Sequence, residues 1–206
     1  MYDVTATGEL LIDFTRNGLS EQNNRIYEAN PGGAPCNVLA MLGKLGYKTA
    51  FIGKVGEDEF GKLLKNTISE QKIDSTGLIL DPDAKTTLAF VDNDETGDRS
   101  FSFYRKPGAD MMLREDEVNY ELIDNCRIFH FGSLSMTDEP VRSATYAMVD
   151  YAKKKNKIIS FDPNLRPPLW ESEELAAKQI WYGIEQCDIL KIADNEIEWL
   201  TGTDDY

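Results

Sequence analysis

The chain has 206 residues, of which 41% are hydrophobic, so it is long enough to form one large domain with its own core. Its formal net charge of −14 at pH 7 argues against nucleic acid and anionic membrane surfaces as partners, because both are negatively charged. The three cysteines, Cys36, Cys126 and Cys187, form no Cys-x-x-Cys pair, which argues against a zinc site or a disulfide framework and fits the cytosol.

Residues 2–14 alternate apolar and polar side chains around Gly8, which predicts a strand, a glycine turn and a second short strand. They carry neither the basic start of a signal peptide nor an apolar run long enough to span a membrane. Asp13 stands among apolar neighbours in the second strand. A carboxylate at such a position is either a paired structural acid or a ligand-binding group.

The stretch Pro31–Gly61 has the most specific pattern in the chain. Gly32 and Gly33 open it, and an apolar set at helical spacing follows and ends at Gly46. Glycines before a helix let the backbone approach a ligand closely, and the first N–H groups of the helix are unpaired there. Asn37 both donates and accepts hydrogen bonds, which suits a hydroxyl-rich ligand. The alternative is an ordinary glycine-rich loop before a core helix.

This stretch resembles the first signature of the ribokinase-like (PfkB) carbohydrate kinases. The double glycine, the asparagine and the later glycines up to Gly61 stand at the family's spacing. The resemblance implies that Gly32, Gly33 and Asn37 bind the sugar that is phosphorylated. It implies the same for Asp13, because the family's Gly-x-x-x-x-Asp opening ends on an aspartate that holds sugar hydroxyls.

A helix, a strand and a β-hairpin are predicted next. Residues 57–71 place apolar side chains on one side of a helix, and residues 76–80 are strand-like. Two alternating runs, Thr87–Asp92 and Arg99–Arg105, flank a turn-rich segment at 93–98. Such a pattern predicts a hairpin.

The resemblance implies a small β lid over the sugar, with strands near 10–30 and 86–106. The run Phe103–Asp110 is similar to bacterial fructokinases, so Tyr104 and Arg105 are expected to contact the substrate. A solvated pair of edge strands is the alternative interpretation of this hairpin.

The middle of the chain carries one histidine. Residues 115–125 predict a short helix or loop, Arg127–Gly132 a buried strand, and Glu139–Lys155 an amphipathic helix. His130 lies inside the apolar strand without a second histidine or a cysteine nearby in sequence. We therefore interpret it as a core residue without chemistry.

The predicted strand Lys157–Phe161 runs into the string Asp-Pro-Asn-Leu-Arg, which contains Asp162 and Arg166. Open α/β sheets bind ligands at the carboxyl ends of their strands. The pair is either a local ion pair that holds the turn or part of a ligand site. The string resembles fructokinases and 2-keto-3-deoxygluconate kinases, where the arginine faces the substrate, so Arg166 and Asp162 are expected substrate-binding residues.

The last predicted elements are helix Glu173–Ile184, strand Cys187–Ile192 and helix Asp194–Leu200, which ends at Gly202. Strands that alternate with helices predict an α/β fold with a mainly parallel sheet between two helix layers. Residues 1–206 are expected to form the N-terminal, sugar-binding part of a ribokinase-like domain, with its C-terminal part missing.

The resemblance also concerns magnesium. The family carries an Asn-x-x-Glu pair linked to Mg²⁺ and phosphate in this region. Counted back from Gly202, its asparagine falls on Ala193 and its glutamate on Glu196, so we expect Glu196 near the metal. A literal match, Asn195 to Glu198, stands two residues later.

Phosphoryl transfer also needs a nucleotide site and a group that assists the attacking hydroxyl. The family's second signature, Asp-Thr-x-Gly-Ala-Gly-Asp, ends on the catalytic base and has no counterpart in this sequence. No catalytic residue is therefore assigned within residues 1–206, and the base is expected beyond Tyr206. We expect a truncated product or a chain whose remainder is not included, and intact mass distinguishes the two.

The resemblance implies an ATP- and Mg²⁺-dependent kinase of a sugar's primary hydroxyl, with fructose as the expected substrate. 2-Keto-3-deoxygluconate, ribose and nucleosides stay open as substrates. A sugar-binding fragment without catalytic activity is the alternative of another class. The resemblance further implies a homodimer formed through the lid.

Overall fold

The computed structural model describes residues 1–93 and 99–203. Most of the predicted hairpin turn at 93–98 therefore lies outside the described residues. Residues 204–206 lie outside them as well. The catalytic base, which we expect beyond Tyr206, stays a prediction.

The strands are β1 (Tyr2–Thr7), β2 (Leu11–Leu19), β3 (Arg25–Gly32), β4 (Thr49–Gly56), β5 (Ile73–Asp81), β6 (Leu88–Asn93), β7 (Arg99–Tyr104), β8 (Cys126–Gly132), β9 (Ile158–Asp162) and β10 (Ile189–Leu190). The α-helices are α1 (Ala34–Lys44), α2 (Glu59–Glu70), α3 (Glu121–Asp124), α4 (Val141–Lys154), α5 (Glu173–Gln186) and α6 (Asp194–Thr201).

The central sheet is parallel and has the strand order β10-β9-β8-β1-β4-β5. Most residues of β1, β4 and β8 are buried, and in β4 every residue is. Such continuous burial is typical of parallel sheets covered by helices. The carboxyl ends of the strands lie along one edge, where α/β sheets bind ligands.

Two hydrophobic clusters cover the two faces of this sheet. Leu39 of α1 and Leu64 of α2 pack with Phe51 in one cluster. Met148 of α4 and Ile180 of α5 belong to the other cluster. All four of these helical residues have at most 1% of their surface exposed. The predicted parallel sheet between two helix layers is thus confirmed.

A second sheet, which we call the lid sheet, has the order β3-β2-β6-β7. β2 pairs antiparallel with β3 and parallel with β6, and β6 pairs antiparallel with β7. β1 leads into this sheet through the turn at residues 8–10, and β3 leads back into α1. The lid sheet is therefore tied to the carboxyl end of a central strand.

The segment 115–125, predicted as a short helix or loop, contains a 3₁₀ turn at Glu115–Glu117 and the short helix α3. The strand predicted at 187–192 is only β10, which pairs with β9 through two residues. Because β10 is an edge strand of the described sheet, only one neighbour supplies its hydrogen bonds. Among the described residues, no helix is both long and apolar enough to cross a membrane.

Candidate sugar-binding site

A cavity of about 170 Å³ lies between the inner face of the lid sheet and the carboxyl edge of the central sheet. Its lining residues are Glu9, Leu11, Asp13, Gly33, Ala34, Asn37, Phe101, Phe103, Leu134, Asn164 and Arg166. Four of the predicted site residues, Asp13, Gly33, Asn37 and Arg166, are thus brought together from segments far apart in the chain.

Asp13 and Arg166 place a carboxyl group and a guanidinium in the cavity wall, and the two groups interact electrostatically. Burial raises the pKa of the half-buried Asp13 carboxyl, and the positive charge of Arg166 offsets part of this effect. The Arg166 guanidinium donates to the Leu165 carbonyl at 2.9 Å and lies 5.6 Å from the ring centre of Phe101. This cation–π contact links the loop after β9 to the lid strand β7.

Gly32 and Gly33 stand where any larger side chain would clash with a neighbouring group. A Cβ on Gly32 would lie 2.2 Å from Oδ2 of Asp13, so this glycine makes room for the carboxylate. Gly33 has φ +124°, and a Cβ there would lie 2.3 Å from the backbone oxygen of Glu9. Only Gly33 lines the cavity; Gly32 acts through Asp13.

Asn37 lies in the first turn of α1, where its exposed side chain forms part of the cavity wall. Its backbone N–H donates to the Gly33 carbonyl at 3.0 Å, which fixes the residue to the glycine turn. An amide at this point offers a donor and an acceptor to a hydroxyl-rich ligand.

Tyr104 does not reach the cavity. Side chains of β7 alternate between the two faces of the lid sheet, and Phe101 and Phe103 line the cavity. Tyr104 therefore lies on the outer face, where it is 67% exposed and packs edge-on against Phe90 at 5.5 Å. The expected substrate contact of Tyr104 is corrected accordingly.

Arg105 is also turned away from the ligand. It is 3% exposed, and its Nε donates to Oδ2 of Asp110 at 2.7 Å. Its other nitrogens donate to Thr137 Oγ1 at 2.9 Å and to the Leu134 carbonyl at 2.8 Å. The guanidinium is thus engaged by protein groups, and the expected direct contact becomes a structural one.

The same contacts anchor the lid hairpin at both of its ends. Asp110 accepts from Thr87 Oγ1, just before β6, at 2.5 Å and from Arg105, just after β7. Asp58, which caps α2, accepts from the backbone N–H of Thr86 at 2.9 Å and from its hydroxyl at 2.8 Å. These contacts therefore hold the base of the hairpin, at Thr86, Thr87 and Arg105, to the central domain.

Asp162 lies at the end of β9 but does not line the cavity. Burial raises the pKa of its carboxyl, and Lys191, 3.3 Å away, offsets part of this effect. Its Oδ1 also accepts from the backbone N–H of Asn164 at 3.2 Å. Asp162 therefore shapes the turn that presents Arg166, and its ionic partner is Lys191.

Comparison with known proteins identifies the family of the chain. The sequence pattern described as "pfkB family carbohydrate kinase" matches residues 1–205. The chain belongs to this family.

The "Probable fructokinase-2" of Arabidopsis thaliana is 46% identical over 201 residues, which are 97% of this chain and 61% of that protein. The chain thus spans about three fifths of the length of this relative.

Solved structures of fructokinases are similar to this chain. The fructokinase of Xylella fastidiosa superposes with a TM-score of 0.92 at 35% identity, over 98% of this chain and 63% of that one. Its structure with bound ATP gives a TM-score of 0.90, over 98% of this chain and 61% of that one. The fructokinase of Vibrio cholerae O395, bound to fructose, ADP and calcium ion, superposes with a TM-score of 0.88 at 33% identity. The match covers 98% of this chain and 64% of that one.

Glu196, which we expected near the metal, has structural contacts in this PfkB chain. It is 7% exposed, its Oε1 accepts from the Leu165 N–H at 2.7 Å, and its Oε2 accepts from the Ala193 N–H at 2.9 Å. It thus caps α6 and holds the residue before Arg166. Among residues 1–93 and 99–203, no group of three or more His, Cys, Asp or Glu side chains is placed to hold a metal ion. The metal role expected for Glu196 stays a prediction.

Glu9 is a cavity residue that the sequence patterns do not reveal. It lies in the turn between β1 and β2, is 3% exposed, and its Oε1 accepts from the Ala34 N–H at 2.7 Å. Burial raises the pKa of its carboxyl to about 7, against the lowering effect of this hydrogen bond. The available signal was a charged residue directly after Gly8 at the carboxyl end of a predicted strand.

Proposed function

We propose that this chain is the sugar-binding part of an ATP-dependent sugar kinase, and that fructose is the sugar. The observation that carries the proposal is the convergence of Asp13, Asn37 and Arg166 on one cavity under the lid sheet. A carboxylate, an amide and a guanidinium together offer acceptors and donors to several hydroxyl groups of one ligand.

The charges of the cavity favour an uncharged ketose over a sugar acid such as 2-keto-3-deoxygluconate. Among the described residues that line it, the ionisable side chains are Glu9, Asp13 and Arg166. A carboxylate on the ligand would add a third acid to a site with one guanidinium. Arg105 does not correct this balance, because Asp110 pairs with it.

In the proposed reaction, this chain's residues bind and orient the sugar. Asp13 and Asn37 hold hydroxyl groups, and Phe101 and Phe103 of the lid exclude water from the cavity. ATP supplies the phosphoryl group, and a divalent cation stabilises its charge. The resemblance implies ATP and Mg²⁺, and the solved fructokinases with bound ATP and with ADP and calcium ion support a nucleotide and a divalent cation. No base is assigned among the described residues.

Calorimetry with fructose tests the proposal. We expect the purified protein to bind fructose, and Asp13→Ala to weaken binding by about 1–3 kcal/mol, roughly five- to 150-fold, because a hydroxyl partner is lost. Asp150→Ala, at an exposed acid of α4, is the matched control and should leave the affinity unchanged. Equal affinities for wild type and Asp13→Ala would remove Asp13 from the site.

A coupled ADP assay on the same sample separates the two classes of function. Heat of fructose binding together with ADP release supports the kinase. Heat without ADP release supports a sugar-binding fragment, which the absence of an assigned base in residues 1–206 favours for the isolated chain. 2-Keto-3-deoxygluconate, ribose and nucleosides, tested in parallel, check the preference for fructose.

We also propose a homodimer through the outer face of the lid sheet. Phe14, Phe90 and Tyr104 form a continuous aromatic row on this face, and Tyr104 is its most exposed ring. Exposed aromatic rings are enriched in protein interfaces. Light scattering should give twice the chain mass, and Tyr104→Glu should give the monomer.

We place the protein in the cytosol. Cys36, Cys126 and Cys187 are all free thiols, which a reducing compartment preserves. Cell fractionation with an antibody to the chain tests this assignment.

A further inference from the structure

Glu9 joins the two turns that form the floor of the cavity. A Cβ on Gly33 would lie 2.3 Å from the Glu9 carbonyl oxygen, and a Cβ on Gly8 would lie 2.6 Å from Cγ of Pro35. The β1–β2 turn and the start of α1 are therefore in direct contact. A movement of either turn displaces the other.

The start of α1 depends on Glu9 for a cap. The N-cap residue is Gly33, which has no side chain to accept from the first N–H groups, and Pro35 has no N–H. Oε1 of Glu9 accepts from the Ala34 N–H at 2.7 Å instead. A side chain 25 residues earlier in the chain thus holds the helix that carries Asn37.

The charges around Glu9 do not offset the effect of burial on the pKa of its carboxyl group. Arg105 attracts the carboxylate, and Asp110 repels it. The thiol of Cys36 also feels the negative charge of Glu9, and burial together with this charge raises its pKa. Because burial dominates, the pKa of Glu9 rises to about 7, so this carboxyl changes its charge near neutral pH.

We propose that Glu9 is a positioning residue of the sugar site, and that sugar binding is coupled to proton uptake by its carboxyl group. The inference rests on the proposed function, since it needs a sugar in the cavity that Glu9 lines.

The physical reason is the loss of water. Glu9 is 3% exposed and lines the cavity, so the little water that still reaches it comes from the cavity. A sugar that fills the cavity displaces this water and further disfavours the ionised form. The protonated carboxyl keeps a carbonyl oxygen that accepts from the Ala34 N–H, so the start of α1 stays in place. Asp13 and Arg166 line the same cavity as Glu9.

The sign follows from linkage. If the sugar raises the pKa of Glu9, the sugar complex binds more protons than the free protein between the two pKa values. Affinity is then highest below about pH 7 and falls as the pH rises through this interval. Each unit by which the pKa rises gives roughly a tenfold weaker affinity at high pH.

Calorimetry of fructose binding tests the proposal. The purified protein is titrated at about pH 6, 7 and 8.5 in phosphate and in Tris, whose different ionisation enthalpies report the protons exchanged. We expect proton uptake near pH 7 and a fall in affinity toward the highest pH. Glu9→Gln, which keeps an acceptor for Ala34, should bind without proton uptake and independently of pH.

Two further variants separate positioning from proton uptake. Glu9→Ala removes the acceptor and should bind fructose at least severalfold more weakly at every pH, because the helix start that carries Asn37 is no longer held. Glu57→Gln, at an exposed acid, is the control and should keep the wild-type proton uptake.

The outcomes are distinct. If the wild type binds no fructose at any pH, the proposed function is overturned and this inference with it. If it binds without proton uptake, or Glu9→Gln takes up as many protons as the wild type, the inference alone is overturned and Asp13 becomes the group to consider. If Glu9→Gln does not fold, Glu9→Ala takes its place in the two-buffer measurement, since it also lacks the carboxyl group; proton uptake equal to that of the wild type would overturn the inference.

Discussion

Asp110→Ala is the substitution that should most affect the fold of the sugar-binding region. Asp110 and Arg105 form an ion pair at 2.7 Å, with 1% and 3% of their side chains exposed. The same carboxylate accepts from Thr87 Oγ1 at 2.5 Å. The variant therefore removes a buried carboxylate that joins the beginning and the end of the lid hairpin.

The expected cost follows from what remains behind. Removal of one partner of a buried ion pair costs about 3–5 kcal/mol, because the other charge stays buried without compensation. Arg105 keeps its bonds to Thr137 and to the Leu134 carbonyl, so we expect about 3 kcal/mol. For a domain of this size, about 2–4 °C per kcal/mol gives a fall in Tm of about 6–12 °C.

Urea unfolding monitored by circular dichroism measures this change, and a surface ion pair in the same chain is the control. Arg114 and Asp116 are 3.0 Å apart, with 56% and 73% of their side chains exposed. Asp116→Ala should leave the free energy of unfolding almost unchanged, because solvent screens exposed pairs. A loss below about 1 kcal/mol for Asp110→Ala would refute this reasoning, since the buried Asp110–Arg105 pair would then contribute no more than an exposed pair.

Three other predictions follow from individual contacts. Gly32→Ala should weaken fructose binding by at least about tenfold with little change in circular dichroism, because its Cβ would displace the Asp13 carboxylate; wild-type affinity would contradict this. Glu196→Ala should lower the free energy of unfolding by about 1–3 kcal/mol with no metal present, because two backbone N–H groups lose their acceptor, whereas a purely metal-binding role predicts no change. Burial lowers the pKa of His130 from 6.5 to about 4, so the unfolded chain binds more protons and stability should fall as the pH falls from about 6.5 to about 4. His130→Gln should flatten that part of the stability curve measured by urea titration at several pH values.

The sequence predicts the central sheet well because burial leaves a direct mark on composition. β4 and β8 are apolar runs between polar helix surfaces, and such runs occur where helices cover both faces of a parallel sheet. β10 was overestimated, because the length of an edge strand depends on its neighbours and not on its own apolar residues. Strand existence was thus readable, and strand length at the edge was not.

The candidate site was only partly predictable. Asp13, Asn37 and Arg166 carry recognisable motifs, and the structure brings them to one cavity. Strand alternation alone already separates Tyr104 from Phe101 and Phe103, because neighbouring side chains in a strand point to opposite faces. The burial of Arg105 was not readable, since it depends on Asp110, which lies in a turn five residues later.

Glu9 shows a different limit of sequence patterns. A single glutamate in a turn belongs to no periodic set, and its partner is a backbone N–H rather than a residue type that could be recognised. Its importance arises from burial and from a contact across 25 residues. Patterns in one sequence report local structure, and such a contact is not local.

The wall of the cavity is held by buried polar groups that belong to the scaffold more than to the ligand. Glu9 holds the start of α1, Glu196 holds the residue before Arg166, and Asp110 holds the lid hairpin. Each of these carboxylates accepts from a backbone N–H or a side chain in another segment, so each fixes the distance between two parts of the wall. Because a binding site loses affinity when its groups move by even about 1 Å, substitutions at these three acids should weaken sugar binding as strongly as substitutions at groups that touch the sugar.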